Sequence, residues 1–459
     1  MEPSIATERS PFSLRNVRLF IAFRIFFNAR FYYPVFTILF LDFGLTVSQF
    51  AMLNVVWAAT IVILEVPSGA LADVIGRRRL LVATGVIMVV EIGLLCVAPR
   101  GGSPLLFALF MLNRILSGTA EAAASGADEA LAYDSLKQQG MESAWSKVLS
   151  LQMRLQSAAF VIAMALGAAV YDPRFMQGLA DVLGLPIIFD RSITIRIPLI
   201  LTWAMSLVTL VITLCFEEGK VTEAEQPPPL KAAFKLTWRA GLWIASTPFA
   251  LIVITAGLLF DSIARMVITL ASQYYRMIAL PEATFGLIGA GTAMMGLFLP
   301  SLAQRLAEKR SPAFNLGVLS SVTLIGLFGM SFFAPIVGLV PALILFAGMY
   351  LTSFLVSYYL NEMTESSQRA TVLSFKGLSY NLAYGGIGLL YALVVAMMRD
   401  TVQTPAVGYS LEDMVFQSTF IGFPVGFSIV LGAWILWAVR HSGKAKAQPA
   451  AKDPAGDRG

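Results

Sequence analysis

Apolar runs of roughly 20 residues recur along the whole chain, each separated from the next by a short polar stretch. They begin near Val17, Val47, Leu80, Pro104, Val148 and Arg196. After an interruption they resume near Pro248, Ala283, Phe314, Ile336, Thr371 and Met414. At about 1.5 Å of rise per residue, each run spans about 30 Å, the thickness of a bilayer's hydrocarbon core. Lipid offers no partner to a backbone amide, so the runs predict helices. The expected fold class is all-α integral membrane, with twelve transmembrane helices.

Between Glu217 and Thr247 the pattern changes. Glu217-Glu218-Gly219-Lys220 leads into Gln226-Pro227-Pro228-Pro229 and then into basic residues. Prolines break helix and charges hold a segment in water, which predicts a linker. The expected organisation is a six-helix bundle over residues 1–216, a linker over 217–247, a second six-helix bundle over 248–440 and a disordered tail over 441–459. One other long loop, Asp172 to Arg196, carries Leu179, Val182, Leu183 and Leu185 and predicts a short interfacial helix.

Charge sets the orientation. One set of loops carries Arg77-Arg78-Arg79, Lys137, Lys147, Lys220 through Arg239, Arg305, Lys309-Arg310, Arg369 and Lys376; the opposite set has little beyond Arg100, Arg174, Arg191, Arg276 and Arg399. By the positive-inside rule both termini are expected in the cytoplasm of a cell membrane, a bacterial inner membrane. The first apolar run follows Arg9, Arg15 and Arg18, is too long for a signal peptide and lacks a small-residue cleavage site, so it is expected to remain as the first helix.

Composition narrows the chemistry. Hydrophobic residues make up 57% of the 459 and charged ones only 13%, too few to cover a water-soluble surface of this length. Mean hydropathy is +0.74. The net charge of +5 is scattered between apolar runs, which suits lipid head groups and excludes a nucleic-acid partner. Cys96 and Cys215 sit inside apolar runs and build neither a disulfide framework nor a zinc site. His441 is the single histidine and lies in the polar tail, so proton chemistry within the membrane falls to carboxylates. No segment resembles a nucleotide-binding loop, metal site or catalytic triad; neither an enzyme nor a cofactor is expected.

The two halves echo one another. Leu45-Thr46 with Phe50 and Leu53 corresponds to Leu280-Pro281 with Phe285 and Ile288. Val66-Pro67-Ser68, expected to end a helix, corresponds to Leu299-Pro300-Ser301, each followed by an acidic residue and a basic cluster. Val148-Leu149-Ser150 echoes Val372-Leu373-Ser374. Four matches in the same order point to two homologous bundles around a central path.

Gly69-Ala70-Leu71-Ala72-Asp73-Val74-Ile75-Gly76-Arg77-Arg78-Arg79 resembles the loop signature of the major facilitator superfamily, and it lies between helices two and three as in that family. The resemblance extends over the chain through the six-plus-six layout and a degenerate copy at Arg305 to Arg310. Physically, Gly69 and Gly76 permit close helix approach and a tight turn. Asp73 can pair with Arg77 and cap a helix end, a latch between bundles. The resemblance implies that the latch, which includes Arg78, favours an outward-facing state and carries no substrate specificity.

In the fourth helix, Arg114-Ile115-Leu116-Ser117-Gly118 resembles a second superfamily motif whose arginine is linked to proton coupling. Arg114, Gly118, Glu121, Ser125 and Asp128 recur at alternating steps of four and three, which places them on one helix face. Charges at that depth cost several kcal/mol unless they face water or partners. Two explanations stay open: a self-satisfied structural pair, or a proton or substrate site with Glu121 as the protonating carboxylate. The fifth helix lacks the Gly-Pro marker of the superfamily's drug antiporters, reading Ala158 to Gly167 without proline.

The offset that aligns Phe50 with Phe285 also places Arg30 onto Arg265. Members of the superfamily that move organic phosphates grip the anion with arginines from these two helices, and guanidinium forks suit such anions. The alternatives are an Asp261–Arg265 pair one turn apart and a pairing of Arg30 with Glu121 or Glu65. Other polar candidates for the cavity are Asn28, Tyr32, Tyr33, Gln273, Tyr274, Tyr358 and Asn381; Glu91 is expected to be structural and Glu65 to belong to the latch network.

These residues lead to the expectation of a monomeric secondary transporter in a lipid bilayer, moving a small-molecule substrate by alternating access with protons, as an exporter by antiport. Two alternatives are an organic-anion carrier built on Arg30 and Arg265, and a receptor that keeps the fold without flux.

Overall fold

The computed structural model describes residues 10–218, 230–364, 369–402 and 410–445; among these the chain is helical and without strands. Among the described residues, eleven helices are long and apolar enough to cross a membrane, and a shorter apolar helix over Tyr33–Phe43 joins them. The twelve expected crossings are all present, and the starts at Val47, Pro104 and Pro248 coincide with those read from the apolar pattern.

In the first half, the first crossing is split into α1 (Arg15–Phe27) and α2 (Phe36–Phe43). Then come α3 (Val47–Ile75), α4 (Arg77–Val97), a fourth crossing split into α5 (Pro104–Ala124) and α6 (Ala127–Lys137), and α7 (Trp145–Tyr171). α8 (Pro173–Val182) and the short α9 (Arg191–Thr194) occupy the long loop before α10 (Ile197–Cys215). α8 is the helix expected there, and Leu179, Val182, Leu183 and Leu185 on or just after it are exposed.

The linker differs from expectation. Residues 219–229, including the proline run, lie outside the described residues, but Leu230–Ser246 forms a helix, α11, packed on the second half. The second half continues with α12 (Pro248–Thr269), α13 (Ala271–Met277), α14 (Phe285–Lys309), α15 (Pro312–Met330), α16 (Leu339–Met363), α17 (Arg369–Arg399), α18 (Leu411–Phe420) and α19 (Gly422–Ala445). His441 is part of α19 rather than of a tail, and residues 446–459 lie outside the described residues. Pro67 and Pro300 do not end helices: both lie inside, in α3 and α14, where the flanking turns carry the helix past the missing amide. Lys376, counted among the loop charges, sits within α17 and donates to Ser357 Oγ at 2.7 Å.

The internal repeat reappears in the backbone. The first crossing of each half is interrupted, and the resuming helices begin at Phe36 and Ala271, separated by the same interval as Phe50 and Phe285. α2 and α13 then pack on each other across the halves: Thr37 Oγ1 donates to the Thr269 carbonyl at 2.6 Å, and Thr37 N donates to Ser272 Oγ at 3.0 Å. α3 packs against α17, and α7 against α14. Gly286 of α14 meets the Met164 carbonyl of α7 so closely that a Cβ there would displace backbone.

Ionic contacts close one end of the molecule. Asp42 at the end of α2 accepts both Nη atoms of Arg276 at the end of α13, at 2.7 and 2.8 Å. Tyr171 donates to the same carboxylate at 2.7 Å. Arg276 also pairs with Glu282, which Arg191 reaches from the first half. Glu412 joins this end by accepting from Val47 N at 2.8 Å while pairing with Arg399.

At the opposite end the signature motif is arranged within the first half. Gly76, at φ +94°, makes the turn between α3 and α4. Arg77 pairs with Asp134 of α6, and Arg78 donates to the Leu214 carbonyl, with its amide donating to Glu218. Among the described residues, the contacts of Arg77 and Arg78 stay within the first half. Among the described residues nothing lies within 4 Å of where a Gly69 Cβ would be. The Asp73 side chain lies outside the described residues.

Neutralising the Asp42–Arg276 pair should open its end. With two charge-assisted hydrogen bonds removed, the Asp42→Asn variant is expected to lose about 1.5–3 kcal/mol of preference for the closed arrangement. Spin-label distances between α2 and α13 should lengthen and broaden relative to wild type; an unchanged distribution would show that the pair does not hold the end shut.

Candidate functional site

Two chambers lie between the halves on the open side of the α2–α13 contact. The outer one, about 540 Å³, is lined by Phe23, Arg24, Phe27 and Asn28 of α1 and its end, Trp57, Ile61 and Glu65 of α3, Glu121 of α5, Glu129 of α6, and Asn381 of α17. The inner one, about 320 Å³, is lined by Tyr33, Phe36, Asn54, Trp57, Arg114, Ser117, Glu121, Arg265, Thr269 and Tyr384. Trp57 and Glu121 belong to both, so the chambers adjoin. Together they fall in the size range of small-molecule sites, with aromatic walls and a few polar groups.

Helix periodicity explains the walls. Arg114, Ser117, Glu121 and Ser125 follow one face of α5, and all four line a chamber. On α3, Asn54, Trp57, Ile61 and Glu65 do the same at steps of three and four. Gly118, included on the α5 face by its spacing, packs instead against Trp57 and Thr60 of α3.

The charges sort into two groups. Arg30 and Glu91 are both buried and pair at 2.7 Å; the other Glu91 oxygen accepts from Asn113 Nδ2 at 2.9 Å. Arg24 pairs with Asp128 and Glu129, holding α1 to α6, and Asp128 is buried. Arg265 pairs with Asp261 at 2.7 Å and donates to Asn381 Oδ1 at 3.0 Å, with its guanidinium over the Tyr384 ring.

Two charges lining the inner chamber lack such partners among the described residues. Arg114 donates only to the neutral Asn113 amide oxygen, and its guanidinium stacks on Phe36 and Phe40 at 5.3 and 5.4 Å from the ring centroids. Among the described residues it has no carboxylate partner. The Glu121 carboxylate has neither a hydrogen bond nor an ion pair among the described residues, and its side chain is exposed to the cavity. Glu65 adds a buried oxygen, Oε2, with no hydrogen-bond partner.

Of the residues picked out from sequence, the structure brings together Asn28, Tyr33, Glu65, Arg114, Glu121, Ser125, Arg265 and Asn381, and places Arg30, Asp128, Asp261 and Gln273 outside the chamber walls. Arg30 lines neither chamber, because the chain leaves the helix at Asn28 and turns its side chain toward Glu91. An Arg30–Arg265 clamp is not the geometry found, and Glu91 supplies the partner expected of Glu121 or Glu65. Asp128 follows a break at Ser125-Gly126, where Gly126 has φ +78°, and faces Arg24 instead of the cavity. Gln273 follows the α12–α13 junction and donates to Asp413 at 2.6 Å. Asp261 supports Arg265 from behind. Sequence reasoning missed Asn54, Trp57, Ser117 and Tyr384; the polar and aromatic stripe on α3 carried that information.

Comparison with known proteins agrees with this architecture. The family model described as Major Facilitator Superfamily matches residues 18–388. Compared with the curated proteins, the chain has no match. Among solved structures it resembles a bacterial homolog of the human lysosomal transporter Spinster in an inward-facing, unoccupied conformation, with TM-score 0.71 and 16% identity over 96% of this chain and 100% of that one. It also resembles the nucleoside transporter NupG, with TM-score 0.66 and 13% identity over 92% and 98%. A D-xylose–proton symporter matches with TM-score 0.57 and 15% identity over 91% and 97%.

The two groups of charges predict opposite responses to neutralisation. Breaking the buried pair by Glu91→Gln leaves Arg30 uncompensated and should cost about 3–5 kcal/mol, read as a marked fall in thermal unfolding temperature in detergent. Glu121→Gln removes no protein contact and should leave that temperature nearly unchanged. Equal responses would contradict the division into structural and cavity-facing charge.

Proposed function

The chain belongs to the major facilitator superfamily, and we propose that it exports a small organic solute across the cell membrane by proton antiport, with Glu121 as the coupling carboxylate. The observation that carries this reading is the unpartnered Glu121 side chain, facing a cavity between two related halves. Asp128, one of the carboxylates expected to share the coupling role, is engaged by Arg24.

The physical argument concerns closure. A cavity that closes around an unpaired carboxylate in a hydrocarbon layer must strand a charge, at a cost of several kcal/mol. A proton removes that charge, and so does a bound substrate group that pairs with it. The halves can therefore rock when Glu121 is protonated or when substrate is bound, and not when it is empty and ionised. This alternation exchanges substrate for protons.

The positive-inside assignment puts the Arg77 end and both termini in the cytoplasm, which makes the arrangement closed at Asp42 an inward-facing one. In that state the first-half motif around Arg77 waits for the second half. In the outward-facing state it would bridge to that half, in keeping with the role the superfamily resemblance implies. The inner membrane of a bacterium is the proposed location, with the chain acting as a monomer.

Reconstitution into proteoliposomes tests the coupling. An imposed pH gradient should drive solute movement opposite to proton flow, and Glu121→Gln should leave exchange of substrate for substrate intact while removing the response to the gradient. Transport by wild type that ignores the gradient would overturn proton coupling; a Gln variant with full gradient response would remove Glu121 from the mechanism.

A further inference from the structure

The cavity has a charge pattern that the coupling mechanism does not use up. Arg114 and Glu121 lie on the same face of α5, two helical turns apart, or about 10 Å along the axis. They share the cavity, with Arg114 in the inner chamber and Glu121 where the two chambers meet. Neither has an oppositely charged partner among the described residues, and neither contacts the other. Each end is reinforced. Arg265, itself balanced by Asp261, turns a partly exposed guanidinium into the inner chamber beside Arg114. Glu65, with its unpartnered oxygen, lines the outer chamber beside Glu121. Trp57 faces both chambers and offers an apolar surface between the two ends.

An occupant with one charge satisfies only one of these groups. An anion on Arg114 leaves Glu121 ionised and adds like charge nearby, and a cation on Glu121 leaves Arg114 without a partner. A solute carrying both charges gives each of these groups an oppositely charged partner, so the loaded cavity closes in lipid with no ion unpaired, whereas in the empty, protonated carrier Arg114 keeps its bonds to Asn113 and its stack on Phe36 and Phe40. We propose that the substrate is an elongated zwitterion. Its carboxylate or phosphate is held by Arg114 and Arg265 in the inner chamber, and its ammonium by Glu121 and Glu65 toward the outer one. An apolar stretch of the solute lies along Trp57. This rests on the reading of the chain as a transporter and names the class of its substrate. It also states how substrate and proton compete: the ammonium takes the place at Glu121 that the proton takes in the empty carrier.

The test uses ω-amino acids of graded length, from γ-aminobutyrate upward, against the purified full chain, with binding read by calorimetry. Each is paired with the fatty acid lacking the amine and the alkylamine lacking the carboxylate. Affinity should peak where the chain length lets both groups reach their partners. At that length, losing either charge should weaken binding about ten- to hundred-fold, the worth of one charge-assisted hydrogen bond. Glu121→Gln should lower the zwitterion to the affinity of its fatty-acid analogue and leave that analogue's own affinity unchanged. Arg265→Gln, which spares the stacked Arg114, should weaken the zwitterion and the fatty acid while leaving the alkylamine unaffected.

A fatty acid or an alkylamine that binds as tightly as the zwitterion would overturn the proposal, as would affinity indifferent to chain length. Proton flux in proteoliposomes is scored separately: proton-coupled movement of a singly charged analogue would leave the transport reading standing while sinking the zwitterion.

Discussion

A charge inside a hydrocarbon layer must be neutralised by a partner or reach water, and this requirement organises the molecule. Arg30 meets it through Glu91, Arg24 through Asp128 and Glu129, and Arg265 through Asp261. Each of these pairs also fixes the chain: Arg30 anchors the broken first crossing to α4, and Arg24 ties α1 to α6 across the break in the fourth. Arg114 and Glu121 meet the requirement differently, by facing a cavity. The fold can hold them only while that cavity admits water, protons or a solute.

The same requirement shows at the closed end. Asp42 and Arg276 stand at the ends of α2 and α13, which the internal repeat makes counterparts, and they meet where the two halves touch. Their pairing, with Tyr171, Arg191 and Glu282 around it, is polar and partly exposed. Such contacts give orientation and can be exchanged for water, unlike the dry packing within each half. Small-residue contacts such as Gly286 on Met164 bring the backbones of helices from the two halves into close contact.

Much of this was legible in the sequence because a bilayer imposes simple rules. Apolar run length set the crossings, and the Pro67 and Pro300 repeats marked equivalent helices even though neither ends one. The α5 face was readable as far as Ser125 because an unbroken helix keeps its period. Three of the residues found away from the chambers share one cause. Arg30, Asp128 and Gln273 each lie just beyond a break, at Asn28, Gly126 and Leu270, where helical spacing no longer says which way a side chain points. A break within a crossing leaves little trace in hydropathy, because the residues around it remain apolar. The partners of Arg30 and Asp128 come from other helices, and no local spacing could reveal them. Trp57 escaped notice because an aromatic residue in an apolar run is ordinarily taken as packing.

On the proposed mechanism, the chamber holding Arg114 and Glu121 opens to solvent from one side at a time. Labelling of a Ser117→Cys variant by a membrane-impermeant thiol reagent, in a chain whose Cys96 and Cys215 have been replaced by Ala, tests it most directly. Labelling is expected from the Arg77 side in the resting protein and, during turnover with substrate, from the Asp42 side as well. A cysteine at this position that reacts from neither side under any condition would contradict it.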